Sequence, residues 1–165
     1  MPHHCMCGFY NHPTRNCTCP PGAVQKYLNK VSGPLLDRID LHIEVTPVAF
    51  TELNNDRPGE SSAIIRERVV RARDLQAERY KDHPGIYANA QINTQLMHEH
   101  CRLNPGSNNL LRKAMERLNL SARAHDRILK VSRSIADLAD SKNICPEHLA
   151  EAIQYRSLDR EGWAG

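Results

Sequence analysis

The sequence has no long apolar run, few aromatic residues and no marked excess of either charge. No stretch approaches the roughly 18 to 20 apolar residues of a membrane-spanning helix, so no membrane association is expected. Aromatic residues make up 5% of the 165 residues, with one tryptophan, Trp163, which predicts an aliphatic core. Lysine and arginine total 22 against 19 aspartate and glutamate, a net charge of +3, so any basic surface must be local.

Two functional signals are also missing. The first ten residues, MPHHCMCGFY, lack the basic and then apolar layout of a secretory signal, so we expect a soluble, cytoplasmic protein. The sequence contains no Walker A loop, G-x-x-x-x-G-K-[ST], and no acidic Walker B motif. Without a phosphate-binding loop, this chain alone is not expected to hydrolyse ATP.

Four of the six cysteines fall in the first 22 residues as two Cys-x-Cys pairs, Cys5 with Cys7 and Cys17 with Cys19. The segment has four prolines and neither helical nor strand periodicity, which predicts a loop that needs an external crosslink. Four thiolates can surround one zinc ion tetrahedrally, and nearby histidines could substitute as ligands (His3, His4, His12). Disulfides are an alternative that a reducing compartment disfavours, and vestigial or redox-active thiols are a third.

The predicted fold class is mainly α. Residues 23 to 45 are predicted to form a short helix, broken at Gly33-Pro34, and one strand in which apolar residues alternate with polar ones (Ile39, Leu41, Ile43, Val45). Residues 46 to 60 are polar and contain prolines, which indicates a linker. Residues 61 to 165 are predicted to form a bundle of about four or five helices.

The first long helix is predicted to run from Ser61 or Ser62 to about Tyr80, with an apolar stripe at Ile65, Val69, Ala72 and Leu75 or Gln76. It also carries five arginines, which form either a phosphate-contacting face or, more simply, a solvated face with i,i+4 ion pairs. The strongest helical periodicity lies in residues 119 to 140, where apolar residues repeat at intervals of four and three (Ala124, Ile128, Val131, Ile135, Leu138).

Arg123 stands in the first turn of this strongest helix, after the predicted N-cap Ser121. The N-terminal end of a helix favours anions, so an arginine there is unexpected. One explanation is that Arg123 and the helix end bind the same phosphate. The alternative is a surface arginine that pairs with Asp126.

The motifs CMC, CTC, SGPLLDRIDLHIEV and LSARAHDRILKV occur in an order that closely resembles the C-terminal part of the bacterial magnesium-chelatase-like AAA+ ATPases of the YifB or ComM type. The resemblance covers nearly the whole chain. It implies that residues 1–45 are the end of a AAA+ core with an inserted cysteine loop, 46–60 a linker and 61–165 the helical lid. It also implies that Arg38 is the arginine finger, which acts in trans on a neighbour's ATP, and that Arg123 is the sensor-II arginine.

The function implied by this resemblance is that of one portion of a hexameric, ATP- and magnesium-dependent motor that acts on DNA in competence, recombination and branch migration. The chain departs from the family pattern at its start, where Met1 to Cys7 read MPHHCMC in place of a segment containing Asn-Pro-Cys-Pro-Cys. The sensor-I asparagine is therefore absent, and the sequence looks like the downstream third of a larger protein. The alternative function is a zinc-stapled helical adaptor that binds protein or nucleic acid without nucleotide chemistry.

Overall fold

The computed structural model describes residues 5–10, 12, 14–43, 45, 48 and 59–156. After the cysteine-rich loop come two short helices, α1 (Ala23–Leu28) and α2 (Gly33–Leu36). The bundle that follows contains α3 (Ser62–Arg79), a 3-10 turn (Asn89–Gln91), α4 (Thr94–His100), α5 (Pro105–Leu118), α6 (Ala122–Leu138) and α7 (Pro146–Gln154). The mainly α prediction is confirmed. Most of the predicted linker, residues 46 to 60, lies outside the described residues.

The starts of four bundle helices are fixed by polar side chains. Ser61, Asn93, Asn104 and Ser121 each accept a hydrogen bond from a backbone N–H three residues further on. The caps predicted at Ser61 and Ser121 are therefore confirmed. Helix α5 is followed by its C-cap Asn119, whose φ of 48° is left-handed and stops the helix before Ser121 caps the next one.

Helix α6 lies at the centre of the bundle and packs against α3, the 3-10 turn, α4 and α7. The core is largely aliphatic, with Ile128 and Leu149 fully buried and Tyr80 as its buried aromatic residue. Among the helices of the described ranges, none is long and apolar enough to cross a membrane.

The predicted strand over residues 39 to 45 is wrong where the structure describes it. The four apolar residues of the pattern are 40 to 67% exposed (Ile39, Leu41, Ile43, Val45). A strand requires a neighbour to complete its hydrogen-bond ladder, and no strand occurs in the described ranges. The backbone bonds to the bundle instead, where the His42 N–H donates to the Tyr155 carbonyl at 2.8 Å.

Helix α3 is only partly covered by the bundle. Ala72 and Gln76 are buried, whereas Val69 and Ile65, one and two turns earlier on the same face, are each 41% exposed. The i,i+4 ion pairs expected within α3 do not form among its described side chains. Arg68 instead reaches back to Glu60 with a bidentate pair at 2.8 and 3.0 Å. The first half of α3 therefore extends beyond the core.

A polar cluster around Asp137 lies inside the bundle. The Arg79 guanidinium donates to both Asp137 oxygens, at 2.8 and 2.5 Å, the Asn89 amide donates at 2.8 Å and Arg133 Nε at 3.1 Å. Burial disfavours the carboxylate, but hydrogen bonds from Arg79 and Asn89 and the charge of Arg133 outweigh it, so the pKa of Asp137 lies below its ordinary value. Asp137 is therefore an ionised carboxylate inside the bundle.

The other polar groups of the cluster also have partners. Arg133 donates to the carbonyls of Ser141 at 2.6 Å and Lys142 at 3.0 Å. The Asn89 side-chain oxygen accepts from the Tyr80 hydroxyl at 2.7 Å. The cluster therefore ties α3, the 3-10 turn, α6 and the connection before α7 to one another.

We predict that Asp137→Ala lowers the free energy of unfolding by about 3 to 5 kcal/mol, because it leaves Arg79 and Arg133 without their anionic partner. Denaturant titration measures the change. The control is Glu116→Ala, which removes the exposed partner of Arg112 and should cost less than about 1 kcal/mol. Equal, small losses in both variants would contradict the role of the cluster.

The same cluster predicts a pH dependence. Because the pKa of Asp137 is lower in the folded protein than in the unfolded chain, its stabilising contribution is present at neutral pH and is lost as the pH falls below about 4. Asp137→Ala should therefore flatten the acid limb of a stability curve measured between neutral pH and the acid transition. An unchanged acid limb would contradict this assignment.

Candidate functional site

Arg38 lies in a turn that follows α2. Backbone hydrogen bonds of 3.0 Å join the Arg38 N–H to the Leu35 carbonyl and the Ile39 N–H to the Leu36 carbonyl. Leu36 is buried, whereas the Arg38 side chain is exposed and makes no hydrogen bond or ion pair with the part of the chain that the structure describes. The turn therefore presents a permanently charged guanidinium to solvent.

Arg123 lies close to this turn, at the start of α6. The Ser121 hydroxyl donates to Asp37 Oδ1 at 2.6 Å while it accepts the capping bond from the Ala124 N–H at 3.1 Å. Arg123 Nη1 lies 3.7 Å from Asp37 Oδ2, and its side chain is 68% exposed. Asp37, the residue before Arg38, therefore lies beside the N-terminal end of α6, which carries Arg123.

Arg123 does not pair with Asp126, the alternative partner that the sequence suggested. Asp126 contacts the Nδ1 of its neighbour His125 at 3.0 Å. Arg123 pairs with Asp37 instead, at a distance longer than a hydrogen bond. Its guanidinium is therefore available to a second anion.

Three further residues fix the Arg38 turn to the bundle, and the sequence analysis missed them. Arg127 forms an ion pair with Asp40, and the Arg156 guanidinium donates to the Ile39 carbonyl. His42 is buried, and its N–H donates to the Tyr155 carbonyl at 2.8 Å, while its ring Nε2 bonds within the turn segment to the Leu36 carbonyl at 3.2 Å. One signal was available, since Arg123 and Arg127 are four residues apart and so share a helix face.

An open groove of about 620 Å³ lies between this turn segment and helices α6 and α7. Its lining combines apolar side chains, basic side chains and three carboxylates (Leu41, Ile43, Val131, Ile135, Leu138; Arg123, Arg127, Lys130; Asp40, Asp126, Glu151). The basic groups all come from α6, whose N-terminal N–H groups also favour negative charge. The groove can therefore hold an anionic group beside Arg123.

The four N-terminal cysteines meet in space. Their sulfur atoms are 3.3 Å apart between Cys5 and Cys7, 3.5 Å between Cys7 and Cys17 and 3.7 Å between Cys17 and Cys5, and all four lie within 4.8 Å of one another. All four are free cysteines, with no disulfide bond. A tetrahedral zinc site with bonds of about 2.3 Å separates its sulfurs by about 3.8 Å, close to these distances. The cluster can therefore hold a metal ion.

Backbone groups shape the charge of the cluster. Hydrogen bonds from the backbone N–H groups of Phe9 and Thr18 lower the pKa of Cys7 to about 5. The pKa of Cys17 is raised to about 12, because burial and the neighbouring cysteine sulfurs outweigh the backbone N–H of Cys19, which favours the thiolate. Adjacent thiolates repel one another, and a bound cation would neutralise them.

The predicted substitute ligands are not part of this cluster as far as the structure describes them. The His12 ring accepts a hydrogen bond from the Thr14 N–H at 3.2 Å and packs edge-on against Phe9. His3 and His4 lie outside the described residues. Among the described residues, the cluster therefore consists of four cysteine sulfurs that could hold a metal ion.

Two family models match the sequence. The model described as magnesium chelatase, subunit ChlI C-terminal, matches residues 59–156, and that described as magnesium chelatase, subunit ChlI, matches residues 2–53. The competence protein ComM of Haemophilus influenzae is 45% identical over 149 residues, which cover 89% of this chain and 28% of ComM. YifB of Escherichia coli is 38% identical over 143 residues, which cover 86% of this chain and 27% of YifB. The chain thus spans little more than a quarter of these relatives.

A double-mutant cycle tests the contact between the two motifs. Ser121→Ala and Asp37→Ala each remove one partner, and we predict a coupling energy of about 1 kcal/mol between them, because the hydroxyl donates to a charged but partly exposed carboxylate. Urea titration of both single variants and the double variant measures it. Purely additive losses would show that the contact makes no contribution in solution.

Proposed function

Because the chain belongs to the family of the magnesium chelatase subunit ChlI, we propose that it supplies the arginine finger and the sensor-II arginine of an ATP-driven, hexameric motor that acts on DNA. In this proposal residues 1–45 are the end of a AAA+ core, 46–60 a linker and 61–165 the helical lid. The name of the Haemophilus influenzae relative, a competence protein, supports a role in competence. DNA recombination, branch migration and a cytoplasmic location are further parts of the proposal.

The motor activity requires more than this sequence contains. The chain spans about 28% of its ComM relative. It has no Walker A loop, which would bind the phosphates of ATP and the magnesium ion. Nucleotide binding and hydrolysis are therefore proposed for an assembly that also supplies those parts. The chain alone is expected to be inactive as an ATPase.

The observation that carries the proposal is the contact between Asp37 and Ser121, which sets the Arg38 turn beside the start of α6. Arg38 is exposed, and no described residue neutralises its charge. A planar guanidinium held in this way suits the charge that develops on a transferring γ-phosphoryl group. We assign Arg38 to the neighbouring subunit's ATP, where it would stabilise the transition state.

Arg123 is assigned to the ATP of its own subunit. Its exposed guanidinium stands in the first turn of α6, where the backbone N–H groups of the helix end also favour an anion. Because its pair with Asp37 is long, a phosphate would compete effectively with that carboxylate. Arg123 would therefore touch ground-state ATP as well as the transition state.

Substitution of the two arginines in an assembled ATPase that contains this chain should have different effects. We predict that Arg38→Ala leaves ATP binding nearly intact and lowers kcat by a factor on the order of 10³, because a finger acts on the transition state. Arg123→Ala should weaken both binding and hydrolysis. Calorimetry and steady-state kinetics measure the two effects, with Arg112→Ala on the exposed face of α5 as the control.

The trans assignment has its own test. Subunits with Arg38→Ala are mixed with subunits that lack their Walker A lysine, so that some interfaces combine an intact phosphate loop with an intact finger. Partial recovery of hydrolysis is expected. If the two proteins co-assemble and no ratio restores activity, Arg38 does not act across the interface.

The cysteine cluster is proposed to hold one structural zinc ion through Cys5, Cys7, Cys17 and Cys19. Support comes from the four converging sulfurs, from the absence of disulfides among them and from a described loop with no regular secondary structure. When bound, zinc would crosslink the two Cys-x-Cys pairs. The four cysteines would then hold the loop in a fixed shape.

We predict about one zinc ion per chain in protein prepared without a histidine tag, because a closed four-thiolate site releases metal slowly. Cys5→Ser and Cys17→Ser should lose the metal. Cys145→Ser should retain it, since Cys145 lies at the start of α7 outside the cluster. Elemental analysis with less than about 0.2 zinc per chain, together with freely titratable thiols, would overturn the assignment.

A further inference from the structure

The segment that carries Arg38, residues 36–42, is attached to the helical bundle along its length. We call it the finger segment. Asp37 contacts Ser121 at its start, Asp40 pairs with Arg127 in the middle, and the His42 N–H donates to the Tyr155 carbonyl at its end. In the described part of the chain, these bonds to α6 and to the end of α7 take the place of strand pairing.

The segment has two buried contacts with the bundle, one of them a further contact made by Arg156, and burial excludes water from both. Arg156 is 1% exposed and donates to the Ile39 carbonyl, and His42 is 6% exposed and bonds to both Leu36 and Tyr155. A buried polar group that loses its partner is costly, so detachment of the segment is disfavoured at these points. The segment is therefore held more firmly than an exposed loop.

The two acidic residues of the segment match two arginines in the first half of α6. Asp37 and Asp40 flank Arg38, and they contact Arg123 and Arg127, which are one helical turn apart on the same face. Two contacts, Asp37 with the Ser121 hydroxyl and Asp40 with Arg127, fix both the position and the direction of the segment along α6. Arg38 therefore cannot shift along α6 without breaking one of these contacts.

We propose that Asp40 and Arg127 are positioning residues that bind the finger segment to the lid, so that Arg38 and Arg123 move as one unit. This inference rests on the proposed function, in which the two arginines serve different ATP sites. A rotation of the lid when Arg123 engages its own ATP then also moves Arg38 at the neighbouring site. The Asp40–Arg127 pair thereby couples adjacent sites of the ring.

The attachment is tested first in the chain alone, without any ATPase measurement. Arg127→Gln should accelerate hydrogen exchange of the amides of residues 38–43 by about tenfold or more, because local opening becomes easier. The charge reversal Asp40→Arg with Arg127→Asp should restore slow exchange. Arg112→Gln, which removes an exposed pair on α5, should change nothing there. Unchanged exchange in Arg127→Gln overturns the inference.

The coupling is tested in the assembled ATPase. Arg127→Gln should lower kcat several-fold with little change in KM, and should bring the Hill coefficient for ATP toward 1, because the finger no longer follows the lid. The charge reversal should restore both kcat and the Hill coefficient. If Arg127→Gln acted only by destabilising the protein, the charge reversal would not restore them. Normal cooperativity in Arg127→Gln, or no recovery in the charge reversal, overturns the inference.

The proposed finger role of Arg38 and the proposed positioning role of Asp40 and Arg127 can fail separately. If Arg38→Ala hydrolyses ATP at the normal rate, the proposed finger role fails, and the exchange experiment still decides whether the segment is attached through Asp40 and Arg127. If Arg38→Ala abolishes hydrolysis while Arg127→Gln changes neither exchange nor kcat, the finger role stands and the positioning role is refuted.

Discussion

The bundle depends on one ionised carboxylate that is enclosed by protein. Asp137 is 3% exposed and is held by Arg79 from α3, Arg133 from its own helix and Asn89 from the 3-10 turn. Its charge is tolerable inside only because these donors surround it, since an unpaired buried carboxylate would be strongly disfavoured. The requirement fixes α3, the 3-10 turn and α6 relative to one another, and the aliphatic core fills the space that they enclose.

This arrangement leaves one face of α6 for function. One side of the helix faces the core through Ile128, and another faces the polar cluster through Arg133 and Asp137. The start of the helix and the side with Arg127 remain beside the groove, where the finger segment binds. The helix that organises the bundle is therefore also the helix that holds both motifs of the candidate site.

Local sequence signals predicted the features that depend on neighbouring residues. The caps at Ser61 and Ser121 follow from side-chain chemistry within one helical turn, and the Cys-x-Cys spacing anticipated the four-sulfur cluster. Features that depend on distant partners were not predictable in this way. Apolar periodicity ignores polar residues, so it missed the buried Arg133 and Asp137 and included Leu138, which is 41% exposed.

The predicted strand failed for a related reason. The alternation of apolar and polar residues from 39 to 45 indicates that the segment is suited to a sheet. It does not indicate which strand the segment would pair with. The described residues offer none, and the backbone pairs with α7 instead. Arg156 had no signal in the sequence, and Arg127 had only its spacing from Arg123, because their partners Ile39 and Asp40 lie 117 and 87 residues away in the sequence.

These separations also bear on the order in which the protein is made. The finger segment precedes its partners on α6 and beyond by 84 to 117 residues. At a synthesis rate of about 5 to 20 residues per second, the ribosome needs on the order of 4 to 20 seconds to add them. Within the bundle, α6 and α7 are close neighbours in sequence and can pack as soon as both have emerged. The turn that bears Arg38 is thus made well before the helices that hold it in place.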